Sequence, residues 1–280
     1  MSKKKIIALL MCLAVACTML AGCGSTKKAS GSGAAKKTEA KKTIRLGVRS
    51  DGVDMANLMV KPLKKMGYKL EIVSFEDSIQ PNVALGEGKI DANLFQHIPY
   101  LKAYNEENKT DFVMVKPYLY YPLFGMYSSK YKKVSQIPDG ATIGLCNDAS
   151  NQARGLNMLV SQKLITLKKG VETPTIHDIK DNPHQFKFVE AEMTTMANAI
   201  DDYDAICLAA AHMATAGKDG NRYICQSDDA KEYALGVVVN PKDKDAKWVQ
   251  DLIKSVQTKE MANYFAKDKQ GTLVPFWTNK

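Results

Sequence analysis

The chain has 280 residues, 45% hydrophobic and 25% charged, a globular composition that excludes a wholly disordered or fibrous protein. Its formal charge of +9 suggests nucleic acid, but eight of those charges lie before residue 43, where nine lysines face only Glu39. The remainder is almost neutral, so the clustered basic footprint of a nucleic-acid-binding surface is excluded.

The chain opens with Lys3, Lys4 and Lys5, then a mostly apolar run over residues 6–20 that ends in Leu20-Ala21-Gly22-Cys23. A basic start, a short apolar core and small residues before a cut describe a secretory signal over residues 1–22. The run is shorter than the roughly 20 residues a membrane helix needs, which argues against a spanning anchor. The Leu-Ala-Gly-Cys order resembles the lipobox of bacterial lipoproteins, which implies that Cys23 becomes the lipidated first residue of the mature chain. Acyl chains there would bury methylenes at ~0.8 kcal/mol each and hold the protein on the extracytoplasmic face of a membrane. Residues 24–42 are rich in Gly, Ser, Ala and Lys and read as a flexible tether.

From residue 43 the chain alternates between strand and helix. Strands are predicted over 43–48, 69–75 and 92–94, helices over 56–66, 80–87 and 98–108, and extended chain over 111–119 and 125–127. A second set follows. Strands are predicted over 142–146, 187–189, 205–208, 223–225 and 235–239. Helices are predicted over 150–164, 194–200, 211–216, 245–258 and 260–267, the first of them capped by Ser150 or Asn151. This alternation implies α/β architecture with parallel sheets covered on both faces. Two sets joined by two extended crossings imply two lobes: residues 43–127 with 234–280, and residues 128–233. Ligands then bind in the cleft, beyond the carboxyl ends of the strands. Of the six cysteines, Cys146, Cys207 and Cys225 remain in the body; one disulfide among them is open, which spacing alone does not pair, and buried free thiols are the default.

Catalytic and cofactor motifs are absent: there is no Gly-x-Ser-x-Gly, no phosphate loop and no His-Glu-x-x-His. His177 and His184 lie in a polar stretch with no recognisable ligand spacing, so no metal and no cofactor are expected. The informative stretch is Asp91-Ala92-Asn93-Leu94-Phe95-Gln96-His97-Ile98-Pro99-Tyr100, which leaves a strand and enters a helix through Pro99. Phe95, His97 and Tyr100 there either clamp an apolar or thioether side chain or form part of a core. The stretch from Cys146 to Arg154 runs from strand through loop to helix start, where free N–H groups attract an anion. Arg154 adds a bidentate carboxylate hold, unless it is a solvated helical residue. Arg49, just past the first strand, is a second anion contact or a solvated loop residue.

The body resembles the NlpA family of substrate-binding lipoproteins, which serve methionine ABC importers. The matching residues are Gln80-Pro81-Asn82, the run from Asp91 to Tyr100, Tyr121-Pro122, the run from Pro138 to Ile143, Asn147-Asp148, Ser150-Asn151, Arg154, Asn182-Pro183 and Phe188-Val189-Glu190. The resemblance implies a two-lobed periplasmic-binding-protein fold, type 2-like, that closes on a small amino acid and delivers it to a permease with a cytoplasmic ATPase. By matching position Phe95, His97 and Tyr100 line the side-chain pocket, with Tyr121, Asn147 and Asn151 beside it, and Arg154 holds the carboxylate. The chain departs from the family pattern at four places. Ser50-Asp51-Gly52 replaces Gly-Pro-His, Ser78 replaces a pocket Tyr, Ala209 replaces an Asn, and Leu235 replaces the Asn of Tyr-Ala-Asn. With two amides missing, a methionine derivative, a short peptide or another small carboxylate becomes an expected ligand beside methionine. The expected protein is a monomeric, non-enzymatic carrier. The rival readings are a ligand sensor or surface adhesin on the same fold, and an enzyme in the same cleft.

Overall fold

A computed structural model describes residues 41–278. The expected signal segment, Cys23 and nearly all of the tether lie outside these residues. Among the described residues no helix is long and apolar enough to cross a membrane.

The elements, in chain order, are β1 (Thr43–Arg49), α1 (Val53–Lys65), β2 (Lys69–Phe75), α2 (Gln80–Gly86), β3 (Ala92–Asn93), α3 (Ile98–Asn108), β4 (Val113–Met114) and β5 (Tyr120–Pro122). Then come β6 (Phe124–Tyr127), β7 (Thr142–Cys146), α4 (Ala149–Ser161), β8 (Thr166–Leu167), β9 (Ile179–Asp181), β10 (Lys187–Ala191), α5 (Met193–Asn198) and β11 (Ala205–Ala209). The chain closes with α6 (Ala210–Thr215), β12 (Cys225–Gln226), β13 (Val238–Val239), α7 (Lys247–Val256), α8 (Lys259–Lys267) and β14 (Leu273–Pro275).

Two five-stranded sheets organise two lobes. The first has the order β2-β1-β3-β13-β4, with β1 parallel to β2 from Thr43↔Lys69 to Arg49↔Phe75 and parallel to β3. The second has the order β10-β7-β11-β6-β12, with β7 parallel to both β10 and β11. Each sheet is apolar on both faces. In β1 the buried Ile44, Leu46 and Val48 meet Met55, Ala56, Met59 and Leu63, which recur along one side of α1, and Val249, Leu252 and Val256 of α7. Leu85, Ile90, Leu101 and Tyr104 form the other core of that lobe. In the second lobe Ile143, Leu145, Leu156 and Leu159 pack on one side, and Met196, Ile206, Leu208 and Met213 on the other. Each such side chain contributes roughly 1.5–3 kcal/mol by leaving water. At Gly155 of α4 an added Cβ would lie 2.8 Å from Leu145, so this glycine lets α4 sit close on the sheet.

The described chain departs from the expected one in several places, the first being that both sheets are mixed rather than parallel: β13 runs antiparallel to β3 and β4, and β6 to β11 and β12. The strand at 124–127 does not belong to the first lobe: Phe124 pairs with Ala209 and Tyr127 with Ile206, so β6 lies in the second sheet and the crossing precedes Phe124. An extended run carries no local mark of which sheet will accept it; long-range pairing decides. Helix α4 begins at Ala149 and is capped by Asp148, whose Oδ1 accepts from the Asn151 N–H at 2.9 Å, so Ser150 and Asn151 lie inside the helix rather than at its cap. The extended stretch at 111–119 yields only the two-residue β4. Cys146, Cys207 and Cys225 are free thiols, the first two buried. Cys207 and Cys225 pair with Met126 from opposite neighbouring strands, which keeps them apart.

Candidate functional site

The loops that follow the parallel strands converge between the lobes. They are the β3–α3 loop and the turn after β1 from the first lobe, and the β7–α4, β10–α5 and β11–α6 turns from the second. They enclose a cavity of about 580 Å³, within the range of small-molecule sites.

The first-lobe wall is aromatic. Phe95 and Tyr100 meet edge to face with centroids 5.9 Å apart, and the His97 ring lies 6.2 Å from Tyr100 and 4.9 Å from Tyr233. His97 is the N-cap of α3: its Nδ1 accepts from the Tyr100 N–H at 3.1 Å, and Pro99 stands in the first turn. Behind this wall Asn82, Asn93 and Gln96 form a buried amide cluster. Asn82 Oδ1 accepts from Asn93 Nδ2 at 2.9 Å and from Gln96 Nε2 at 2.7 Å. That cluster gives Gln80-Pro81-Asn82 and the 91–100 run a common structural reason: one fixes the loop that the other carries.

A chain of hydrogen bonds joins the lobes. Because His97 Nδ1 accepts, its Nε2 carries the proton and donates to Asn151 Oδ1 at 3.0 Å. Asn151 Nδ2 in turn donates to Asp148 Oδ2 at 3.0 Å. Burial holds the His97 imidazole down at about 4, so the ring is neutral at physiological pH. Burial also raises the Tyr100 hydroxyl, and the neighbouring Asp148 and Glu192 carboxylates add to that shift. The His212 imidazole is lowered by burial, against the pull of Asp51. Helix α4 thus offers its N-terminus to Asp148, its own carboxylate, rather than to an incoming anion.

The two candidate anion-binding arginines differ in place. Arg49 lines the cavity, donates Nη1 to Ser78 Oγ, and lies 3.7 Å from Asp51 and 3.8 Å from Glu192 of the other lobe. Arg154 is not among the residues that line it, and its Nη1 and Nη2 make no hydrogen bond among the described residues. Its side chain has no exposure, Nε donates to Asp229 Oδ1 at 2.9 Å, and Nη2 lies 2.8 Å from the same oxygen in bent geometry. The guanidinium carbon sits 3.9 Å from the Tyr233 centroid and 4.6 Å from that of Phe124. An internal carboxylate and two rings therefore enclose it.

Tyr121 is likewise absent from the cavity wall: it packs on Phe276 at 5.1 Å, on the opposite face of β5 from Tyr120 and Pro122, which do line the cavity. Phe95, His97, Tyr100, Asn147, Asn151, Ser78, Ala209 and Leu235 do meet the cavity, as does Arg49. Ser78 receives the Tyr100 hydroxyl on its carbonyl at 2.8 Å and the Arg49 guanidinium on its hydroxyl. Sequence reasoning overlooked Glu192, Met193 and His212, which also line it. The signal was available: Glu192 and Met193 stand at the strand-to-helix turn after β10, as Asn147 and Asp148 do after β7. Among the described residues no cluster of His, Cys, Asp and Glu suits a metal ion.

Comparison with known proteins places these features in a family. The family profile described as NlpA lipoprotein matches residues 44–277. Outer membrane lipoprotein 1 of Mannheimia haemolytica is 36% identical over 99% of this chain and 100% of that protein. The probable D-methionine-binding lipoprotein MetQ of Haemophilus influenzae is 34% identical over 92% of this chain and 94% of its own. A nutrient binding protein from Burkholderia cenocepacia, solved bound to methionine, superposes with a TM-score of 0.78 at 30% identity, covering 83% of this chain and 99% of that one.

Proposed function

Because the chain belongs to the NlpA lipoprotein family, we propose that it is an extracytoplasmic substrate-binding lipoprotein which captures methionine, or a small methionine-like solute, for an ABC importer. The observation that carries this reading is the cleft itself, an aromatic wall on one lobe facing a polar wall on the other. Phe95 and Tyr100 offer ring faces to an apolar thioether, with sulfur–aromatic contacts contributing ~0.3–1.5 kcal/mol. Met193 and Leu235 extend the apolar lining, and Ala209 adds a small surface where an amide would have bonded. The neutral His97 and Asn151 form a bond between the lobes that suits a cleft which closes on its ligand. A carrier needs shape and hydrogen bonds, and nothing in this reading requires turnover. The curated relatives named as D-methionine-binding lipoproteins and the ligand in the Burkholderia protein support the substrate class. The Coxiella burnetii neighbour, titled an ABC transporter periplasmic substrate-binding protein, supports delivery to a permease.

Mass spectrometry of small molecules released by denaturing the purified protein tests the substrate class. A stoichiometric thioether amino acid or its close derivative is expected; a stoichiometric ligand without that side chain overturns the reading. The anchor is tested separately by Cys23→Ala, which is expected to release the processed protein from membranes.

A further inference from the structure

We propose that the end of the first lobe opposite the cleft is a basic docking surface for anionic lipid headgroups, which sets the body on the membrane and leaves the cleft to the solvent side. The inference rests on the lipoprotein reading above and assigns the face that meets the bilayer. Strands β1, β2 and β3 run parallel, so their carboxyl ends carry the cleft loops and their amino ends form the opposite end of the lobe. The last turn of α1 and the segment from β13 to α7 lie at that same end, because β13 runs antiparallel to β3. Lys41 joins these parts: its Nζ lies 2.7 Å from Asp91 Oδ1, ahead of β3, and 4.9 Å from the ring centroid of Trp248 in α7. The chain enters the body here, through Lys41 and Lys42.

The body is almost neutral, but its charge is unevenly placed. At this end Glu71 pairs with Lys69 at 2.6 Å, Glu87 with Lys89 at 2.6 Å, and Asp91 with Arg45 at 2.8 Å as well as with Lys41. Asp251 is held by Lys247 and by the Tyr68 hydroxyl. Lys109 and Asp111, ahead of β4, cancel. With those carboxylates taken, the exposed Lys42, Lys64, Lys65, Lys242 and Lys244 make no ion pair among the described residues and stand against Asp243 and Asp245. The turns after β1 and β2, at the cleft end, show the reverse: Asp51, Asp54, Glu76 and Asp77 stand against Arg49. A lobe positive at one end and negative at the other is oriented by a negative surface. Lys64 and Lys65 also complement the dipole of α1, whose last turn they occupy, but Lys242 and Lys244 lie ahead of α7, whose N-terminus disfavours cations. The stretch from Cys23 to Thr43 adds Lys27, Lys28, Lys36 and Lys37 against Glu39. Fully extended it reaches up to about 70 Å, so its length does not choose the face presented to lipid, and charge does. Attraction to an anionic bilayer fades beyond the Debye length of ~8 Å at physiological salt, so the face with the unpaired lysines is the one that is held.

The test uses the acylated full chain, extracted from membranes and reconstituted into lipid nanodiscs. Each lysine is acetylated by an N-hydroxysuccinimide ester and read by mass spectrometry. Discs of phosphatidylcholine alone are compared with discs holding about one-third phosphatidylglycerol. Lys64, Lys65 and Lys242 are expected to react about threefold more slowly, or slower still, on the anionic discs, and Lys132, Lys163 and Lys231 of the second lobe equally on both. The difference is expected to vanish at about 0.5 M salt, where the Debye length falls to ~4 Å. Combining Lys64→Gln, Lys65→Gln and Lys242→Gln is expected to remove the protection of Lys42 and Lys244 while leaving methionine affinity unchanged, which shows that the variant is folded. Equal labelling on the two kinds of disc overturns the inference, and so does equal protection of the second lobe. Protection that soluble polyphosphate gives as well on neutral discs overturns the assignment to lipid. A chain that does not stay with the discs at all overturns the lipoprotein reading itself, and this inference with it.

Discussion

At the crossing between the lobes, Arg154 lies between the rings of Phe124 and Tyr233 and is matched by Asp229; at the cleft, Arg49 holds Ser78 and faces Asp51 and Glu192 without bonding either. Both guanidinium groups are largely removed from water, and a buried charge is tolerated only when it is compensated. At Arg154 burial lowers the pKa while Asp229 opposes that shift, so the partner that keeps it charged is part of the chain. Asp229 compensates Arg154 from within the chain, while the Nη1 and Nη2 donors of Arg154 stay without a hydrogen-bond partner among the described residues. A cation flanked at nearly 4 Å keeps most of its donors available. Residue type and motif position, which single out Arg154, say nothing about whether a partner from the crossing already occupies it.

The comparison predicts opposite phenotypes for the two arginines. The largest expected effect is on stability: Arg154→Met leaves Asp229 without its cation and should cost about 3 kcal/mol, lowering Tm by roughly 6–12 °C in a thermal melt. A melt shifted by less than about 2 °C would put Arg154 back among the ligand-binding candidates. Next comes the aromatic wall. Phe95→Ala should weaken methionine binding by about thirtyfold, near 2 kcal/mol, with little change in Tm, since Phe95 is only half-buried. A smaller loss than that of Asn151→Ala, which removes one neutral hydrogen bond of about 1 kcal/mol, would move the side-chain pocket elsewhere.

The smallest expected effect is the pH dependence of the bond between the lobes. The His97 imidazole is held at about 4 in the folded chain by burial, below the 6.5 of an unfolded histidine. The unfolded chain therefore takes up the proton first. The stabilisation is fully present above about pH 6.5 and is lost as pH falls from there towards 4. From pH 7 to 5.5 the loss should be about 1 kcal/mol, read as a lower urea midpoint. His97→Gln should reduce the slope over that interval, leaving the share of the buried His212, and an unchanged slope in the variant would assign the dependence to other groups.

Much of the fold was legible in the sequence because its signals are local. The apolar alternation of β1, the helical spacing of Met55, Met59 and Leu63, and Pro99 at the start of α3 each report on their own few neighbours. The strand-to-helix turns at 95–100 and 147–151 followed from the same pattern, and the parallel-sheet rule then put both at a cleft. What only the tertiary structure decided depends on residues far apart in the chain. Pairing with Ala209 assigned Phe124 to the second sheet, and the placement of β5 put Tyr120 and Pro122 on the cavity and Tyr121 on the other face. Asp229, 75 residues beyond Arg154, came to pair with that arginine, and Glu192 of the other lobe came to face Arg49. A sequence states which side chains carry charge; which charges are already neutralised, and which still face the cleft, is settled by contacts between distant segments that no local pattern encodes.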